Sequence, residues 1–260
     1  ADKKIYALRD ATSTTESIPL IASSIMSKKI AAGANKIVLD VTYGSGAFMK
    51  TKEKAQELAD TMVRIGKLAN RETVAVLTPM EQPLGKSVGN ALEVIEAIEA
   101  LKGNIKEDVK DVVLELGSNM LKLAGKGNNL EENKNRMLEN IKNGRALEKF
   151  KELVANQGGD VSYIEDTNKF KKAKFILPVI SKVQGKVKEL NAEQIGKLSV
   201  FLGAGRIKKE DKIEKEVGII LNKKIGDKVE KEEIMAYIHA NNEEKAKEAV
   251  ERLSEIYQIN

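Results

Sequence analysis

The stretch KIVLDV, residues 36–41, is followed closely by the glycine-rich stretch GSGAFMKT, residues 44–51. A short apolar run that ends at a glycine-rich turn is typical of a buried β-strand. A helix is predicted directly afterwards, over residues 52–70. A strand, a glycine-rich turn and a helix in this order form the βα unit of an open parallel sheet. This segment therefore predicts an α/β fold.

The glycine-rich stretch is close to a phosphate-binding P-loop, because its glycines, Lys50 and Thr51 fall nearly where that motif has them. A P-loop requires a glycine immediately before its lysine, so that backbone amides can curl around the phosphates. Met49 occupies that position, and a methionine disfavours the positive φ that glycine accepts freely. We therefore do not expect this loop to bind a nucleotide.

The βα pattern recurs downstream. Residues 73–77, TVAVL, form a second predicted strand, and helical spacing extends from residue 88 to 101. Ligands of open parallel sheets bind beyond the carboxyl ends of the strands. The loops at residues 43–48 and 78–85 are therefore expected on the ligand side.

A helix is also predicted before the first strand, from Ser17 to about Gly33, with Pro19 tolerated in its first turn. Ser24 and Lys28 are four residues apart in it, so they lie on one face. That face is not the apolar one.

The predicted elements change along the rest of the chain from helices to short strands. Helices are predicted at 106–123 and 130–156, and a break follows at 157–160. Beyond about residue 170 the pattern predicts short strands at 174–180, 185–190, 217–221 and 234–239, with helices at 191–201 and 243–257. The fold prediction is α/β, with parallel-sheet βα units preceded by a helical segment, and a C-terminal α+β domain of hammerhead-like form. Domain boundaries are predicted at 1–33, 34–160 and 161–260.

The composition of the 260 residues favours a soluble globular protein and disfavours two classes of partner. Hydrophobic residues make up 42% of the chain, yet no apolar run approaches the roughly 20 residues of a membrane span, so we expect no membrane partner. The net charge of +5 comes mostly from lysines scattered among 39 acidic residues. Nucleic-acid readers cluster arginines and interleave aromatics, whereas aromatics are 4% here, so no nucleic-acid partner is expected.

Single residue types narrow the chemistry further. The chain has no cysteine, which excludes disulfides and thiolate chemistry and suits a cytoplasmic protein. His239 is the one histidine, so a two-histidine metal site is excluded, and its place at the end of a predicted strand favours a structural role. No Ser-His-Asp set is evident. Because the first residue is Ala and the chain opens directly into charged, strand-like sequence, we expect it to be part of a longer protein.

Several long motifs follow one another along the chain: YALRDATST (6–14), SIPLIASSIMSKK (17–29), VLDV (38–41), GSGAFM (44–49), QPLG (82–85), GNALEV (89–94), LGAGR (202–206), KED (209–211) and IHAN (238–241). In residue type and order they closely resemble the motifs of pyrimidine-nucleoside phosphorylases, the family that includes thymidine phosphorylase. The resemblance covers essentially the whole chain.

The resemblance implies a pentosyltransferase of pyrimidine nucleoside salvage. In that reaction phosphate displaces a pyrimidine base from C1′ of a nucleoside, which yields a pentose 1-phosphate and the free base. Phosphate is then the co-substrate, no organic cofactor is implied, and the complete enzyme is expected to be a homodimer. Residues 1–33 correspond to the remainder of a helical base-binding domain, and residues 34–160 to a partial nucleoside phosphorylase domain.

The resemblance also implies site residues. By position, Arg9, Ser24 and Lys28 match the base-binding residues of the family, Tyr6 matches a tyrosine lining the same pocket, and Arg9 and Lys28 are the implied catalytic residues. Negative charge develops on the pyrimidine ring as the glycosidic bond breaks, and fixed donors stabilise that charge more than they stabilise the neutral substrate.

A structural metal ion is a further implication of the resemblance. The matching ligands are the carbonyls of Leu84 and Ser87 and the carboxylate of Glu96. Oxygen ligands of this kind suit an alkali ion or calcium. The family commonly has Ala at position 87, a difference that matters little for a carbonyl ligand.

One departure from the family pattern concerns phosphate. The glycine-rich Lys-His-Ser-Thr-Gly-Gly segment that binds phosphate in the family has no counterpart in this sequence. We therefore expect a C-terminal part of such an enzyme, inactive by itself.

Two non-catalytic alternatives remain open. The stretch GDKVEK, residues 226–231, resembles a turn of biotinyl and lipoyl carrier domains, although the Met-Lys-Met of true carriers is missing. The chain could also be a dimerisation or regulatory module.

Overall fold

The computed structural model describes residues 5, 9, 11, 12, 14–206, 208 and 210–260. The chain divides into two compact units, one of residues 1–80 and 111–137 and the other of residues 81–110 and 138–260. Among the helices in these described ranges, none has both the length and the apolar character needed to cross a bilayer. The boundaries 1–33, 34–160 and 161–260 stay a prediction.

The first unit contains the βα pattern of the opening stretch. Its elements are helix α1 (Ile18–Ala31), strand β1 (Lys36–Tyr43), helix α2 (Lys52–Leu68) and strand β2 (Glu72–Pro79). β1 and β2 pair in parallel, with Lys36 opposite Glu72 and Tyr43 opposite Pro79. The predicted parallel βα arrangement is confirmed.

Alternation along β1 creates the core of this unit. Ile37, Leu39 and Val41 are buried on one face of the strand. They belong to one cluster with buried residues of α1 and α2, among them Met26 and Met62. Because every second residue of a strand points to the same face, this short apolar run gives α1 and α2 a shared apolar surface to pack on.

The segment after β2 is mainly helical. It contains the short strand β3 (Ser87–Val88) and then helices α3 (Asn90–Leu101), α4 (Glu107–Leu123), α5 (Leu130–Lys142), α6 (Arg145–Asn156) and α7 (Ser162–Glu165). The helix predicted over 130–156 is divided between α5 and α6. Gly144 has φ +79° at the division, a left-handed conformation that glycine adopts without steric cost.

The remaining elements of the second unit are strands β4 (Phe175–Ile180), β5 (Gly185–Leu190), β6 (Gly218–Leu221), β7 (Lys228–Val229), β8 (Ile234–Ala240) and β9 (Tyr257–Ile259), with helices α8 (Ala192–Leu202) and α9 (Glu243–Ile256). They form a four-stranded sheet in the order β3-β6-β8-β4 and a three-stranded sheet in the order β7-β5-β9. Their pairings are antiparallel. The predicted α/β fold with a C-terminal α+β region is confirmed.

Candidate functional site

The polar face of α1 carries two of the predicted base-binding residues. Lys28 Nζ donates to Ser24 Oγ across 3.2 Å, and Ser24 is half-buried while Lys28 is exposed. Ala22 and Met26 are fully buried on another face of the same helix. The predictions that Ser24 and Lys28 share a face, and that this face is not the apolar one, are confirmed.

Arg9 precedes this helix in the chain, and its side chain reaches the beginning of the helix. Its side chain is buried, and its guanidinium donates from Nη2 to the carbonyl of Thr15 at 2.6 Å and from Nη1 to the carbonyl of Leu20 at 3.4 Å. Leu20 belongs to the first turn of α1. Arg9 therefore anchors the start of the helix on which Ser24 and Lys28 are displayed. Tyr6 lies outside the described residues.

The loops after β1 and β2 meet, as expected for the carboxyl ends of neighbouring parallel strands. The amide of Gly46 donates to the carbonyl of Met80 at 2.9 Å, and the amide of Met80 donates to the carbonyl of Tyr43 at 2.6 Å. This edge is where an open sheet presents a ligand site.

The glycine-rich loop is closed by its own backbone. The amides of Gly44 and Ala47 donate to the carbonyls of Met49 and Gly44, at 3.0 and 3.1 Å, in addition to the Gly46 bond. Thr51 caps α2 by accepting from the amide of Lys54. Amides already bonded within the chain do not form a phosphate cradle, which agrees with the rejection of the P-loop.

The second unit contains the predicted metal ligands. The carboxylate of Glu96 accepts from the amide of Lys86 at 2.9 Å and from the amide of Ser87 at 2.8 Å. The amide of Leu221 donates to the carbonyl of Lys86, so Ser87 and Ile220 form the alternate, non-hydrogen-bonded pair of β3 and β6. The amide and carbonyl of one strand residue point to the same side, so the Ser87 carbonyl points toward the side of Glu96.

The candidate donors are all oxygens, namely two carbonyls and one carboxylate, and a hard cation fits such a set. Within the described part of the chain, no three His, Cys, Asp or Glu side chains come together as a metal-binding group. A cation here would therefore depend on the carbonyls of Leu84 and Ser87 beside Glu96.

Sequence reasoning missed two residues that hold this loop, Lys224 and Asp108. Lys224 Nζ donates to the carbonyls of Pro83 and Gly85 and to Asp108 Oδ2, the last at 2.5 Å. Burial raises the pKa of the Asp108 carboxyl, but the bond and charge of Lys224 and the amides of Gly85 and Val109 outweigh it and hold that pKa below its usual value. No sequence signal could have found the pair, because 116 positions separate the two residues.

His239 lies on β8 and lines a cavity of about 860 Å³ together with Lys171, Glu216 and residues of α3. Burial lowers the pKa of its imidazole, which keeps the ring neutral near pH 7. The structural role assigned to His239 from the sequence stays a prediction.

Comparisons with known proteins bear on both halves of the chain. Residues 1–147 match the family model described as "Glycosyl transferase family, a/b domain", and residues 186–260 match "Pyrimidine nucleoside phosphorylase C-terminal domain".

Named relatives agree with these matches. The chain is 56% identical over 243 residues to the pyrimidine-nucleoside phosphorylase of Bacillus subtilis (strain 168) and 55% identical over 244 residues to that of Staphylococcus aureus (strain bovine RF122 / ET3-1). In each case the match covers 94% of this chain and 56% of the relative, so the chain spans about half the length of the curated relatives it matches. The chain belongs to the pyrimidine-nucleoside phosphorylase family of glycosyl transferases.

Proposed function

We propose that this chain contributes the base-recognition residues of a pyrimidine-nucleoside phosphorylase. An oxygen of phosphate attacks C1′ of the nucleoside, the bond from C1′ to N1 of the base breaks, and the base leaves with the bonding electrons and takes up a proton. The products are a pentose 1-phosphate and a pyrimidine. Relatives with this name, at 55–56% identity, support the assignment.

The observation that carries the proposal is the hydrogen bond from Lys28 Nζ to Ser24 Oγ on the polar face of α1. A hydroxyl accepts and donates at once, so Ser24 can hold Lys28 and still serve the N3 edge of a pyrimidine. The ammonium of Lys28 then stands beside the ring oxygens on which negative charge grows during bond cleavage. A cation that strengthens its contact as the charge develops lowers the barrier rather than only the Kd.

Arg9 supports the same site through the backbone. Its bonds to Thr15 and Leu20 fix the entry into α1, the helix that carries Ser24 and Lys28. Tyr6 is proposed for the same pocket on the resemblance alone.

A structural cation at Leu84, Ser87 and Glu96 is part of the proposal. The direction of the Ser87 carbonyl and the oxygen-only donor set support it. The ion would link the loop of residues 84–87 to α3, and an alkali ion or calcium fits these ligands. The homodimer and the cytoplasmic location remain predictions.

The test measures binding first, because the chain is expected to lack phosphorolysis by itself. Calorimetric titration with uridine and thymidine compares the wild-type chain, Lys28→Ala and Lys29→Ala. Lys29 is an exposed lysine on the same helix and serves as the matched control. We expect Lys28→Ala to weaken binding about 10-fold or more, the order of one charge-assisted hydrogen bond, and Lys29→Ala to bind as wild type.

Failure of the wild-type chain to bind either nucleoside, or equal binding by Lys28→Ala, contradicts the proposed base site. An ultraviolet assay of phosphate-dependent base release runs beside the titration. Turnover that disappears in Lys28→Ala would confirm the reaction while overturning the expectation that the chain is inactive by itself.

The carrier-domain alternative gains no support from the fold. Lys231 follows β7, and β7 and β8 flank its turn, but β7 pairs with β5 and β8 pairs with β6 and β4. The lysine is therefore not displayed on a hairpin of two mutually paired strands.

A further inference from the structure

The loop of residues 82–87 is clamped by charged side chains from two directions. Glu96 binds the amides of Lys86 and Ser87. Lys224 binds the carbonyls of Pro83 and Gly85, the latter at 2.7 Å. The loop is thus held through its amides by a carboxylate and through its carbonyls by an ammonium.

The ammonium of Lys224 is fully engaged. Its side chain is only 12% exposed, and its third partner is Asp108 Oδ2, which also accepts from the amide of Gly85 at 3.0 Å. An ammonium has three N–H donors, and each has an acceptor here. Such a group costs much to move, because displacement leaves a charge and several polar atoms without partners.

We infer that Lys224 is a positioning residue for the proposed cation site, an inference that rests on the proposed function. The carbonyl of Leu84 lies in sequence between the two carbonyls that Lys224 holds. Lys224 holds the peptides before and after the Leu84–Gly85 peptide, and its partner Asp108 accepts from the Gly85 amide of that peptide itself. Together these bonds set the direction of the Leu84 carbonyl, the proposed ligand. Lys224 therefore acts on the cation through the loop and does not contact it.

Lys223 provides a matched control one residue away. Its Nζ also bonds to a carboxylate and a carbonyl, those of Glu233 at 2.5 Å and of Lys228 at 2.8 Å, and its side chain is 19% exposed. Neither partner belongs to the loop of residues 82–87. Lys223→Met and Lys224→Met hence remove comparable interactions, and only the second touches the loop.

The first measurement is amide hydrogen exchange in the wild-type chain, Lys224→Met and Lys223→Met. We expect the amides of Gly85 and Ser87 to exchange about 10-fold faster or more in Lys224→Met and within about 3-fold of wild type in Lys223→Met. Asp108→Asn, which keeps the side-chain size and weakens the hold on Lys224, gives the same pattern at smaller amplitude. The inference is overturned if the loop amides of Lys224→Met exchange at the wild-type rate. It is also overturned if both lysine variants accelerate their exchange equally.

The second measurement follows the melting temperature during titration with potassium chloride, with tetramethylammonium chloride at equal ionic strength as reference. We expect a saturable rise in the wild-type chain, loss of the rise in Glu96→Gln, and a half-saturating concentration about 10-fold higher in Lys224→Met. The same half-saturating concentration in wild type and Lys224→Met overturns the role of Lys224 alone. A wild-type chain without a saturable response overturns the cation site itself.

Discussion

Glu216 has a side chain that is only 9% exposed, and its carboxylate bonds to Lys171 and to Asn241 Nδ2, the latter at 3.0 Å. The hydrogen bond from Lys171 comes first among the causes that lower the pKa of Glu216, and Asn241 adds to it. Together they outweigh burial and hold this pKa at about 2 rather than 4.5. A single carboxylate thereby ties the segment before β4 to the end of β8.

This carboxylate predicts an acid dependence of stability. A folded-state pKa below the unfolded value contributes stability that is present above about pH 4.5 and is lost as the pH falls toward 2. We expect Glu216→Gln to cost about 1–2 kcal/mol near pH 7, a discounted figure because Lys171 is 73% exposed and its charge is screened by solvent. The difference between wild type and variant should shrink as the pH falls from 4.5.

Urea unfolding at pH 7, 5, 4 and 3 measures this difference. Glu189→Gln on β5 is the control, since Glu189 is exposed and its carboxylate has no hydrogen bond or ion pair with the residues that the structure describes. A Glu216→Gln difference that stays constant across these pH values contradicts the assignment.

At the scale of elements, close packing decides where glycine is needed. Gly66 on α2 is buried, and a Cβ built on it would lie 2.1 Å from Thr73 Oγ1 on β2. Gly196 on α8 has no atom within 4 Å of the same position. We therefore expect substitution by alanine to have opposite effects on stability at these two helical glycines.

Gly66→Ala should destabilise the protein by about 1–2 kcal/mol, because overpacking outweighs the helix propensity gained from alanine. Gly196→Ala should stabilise it by about 0.5–1 kcal/mol, since only propensity changes there. Chemical unfolding of both variants gives the two signs. Stabilisation by Gly66→Ala would show that α2 and β2 do not approach this closely.

Element positions were largely predictable, and the exceptions have a shared cause. The predicted bounds of α1, β1, α2 and β2 agree with the structure within a few residues, because their apolar spacing is local. β3, β7 and β9 were not predicted. These strands have two or three residues each and form only by pairing with strands distant in sequence. They are too short to show the alternation of apolar and polar residues from which a strand is predicted.

At the scale of the whole molecule, the parallel sheet and the four-stranded sheet differ in whether they contain inner strands. β1 and β2 form a two-stranded sheet in which both strands are edges. β6 and β8 are inner strands of the four-stranded sheet, and Ile219, Leu221 and Ile238 on them are fully buried. Inner strands that carry fully buried side chains open last in native-state exchange.

We therefore expect the slowest-exchanging amides of the described residues to lie in β6 and β8 and those of β2 to exchange earlier. Hydrogen exchange read by mass spectrometry with peptide resolution orders the strands. Greater protection of β2 than of β8 would contradict this expectation, and it would indicate that an edge of the parallel sheet is covered in solution.

The sequence by itself determined the βα pattern, the shared face of Ser24 and Lys28, and the resemblance that the family comparison confirms. Each of these depends on spacing within a few residues or on motifs that can be read in order. Only the tertiary structure brought Lys224 and Asp108 to the loop of residues 82–87, and only it turned the Ser87 carbonyl toward Glu96. The physical reason is that such contacts join groups far apart in sequence, whose meeting is decided by strand pairing and burial and not by any local period.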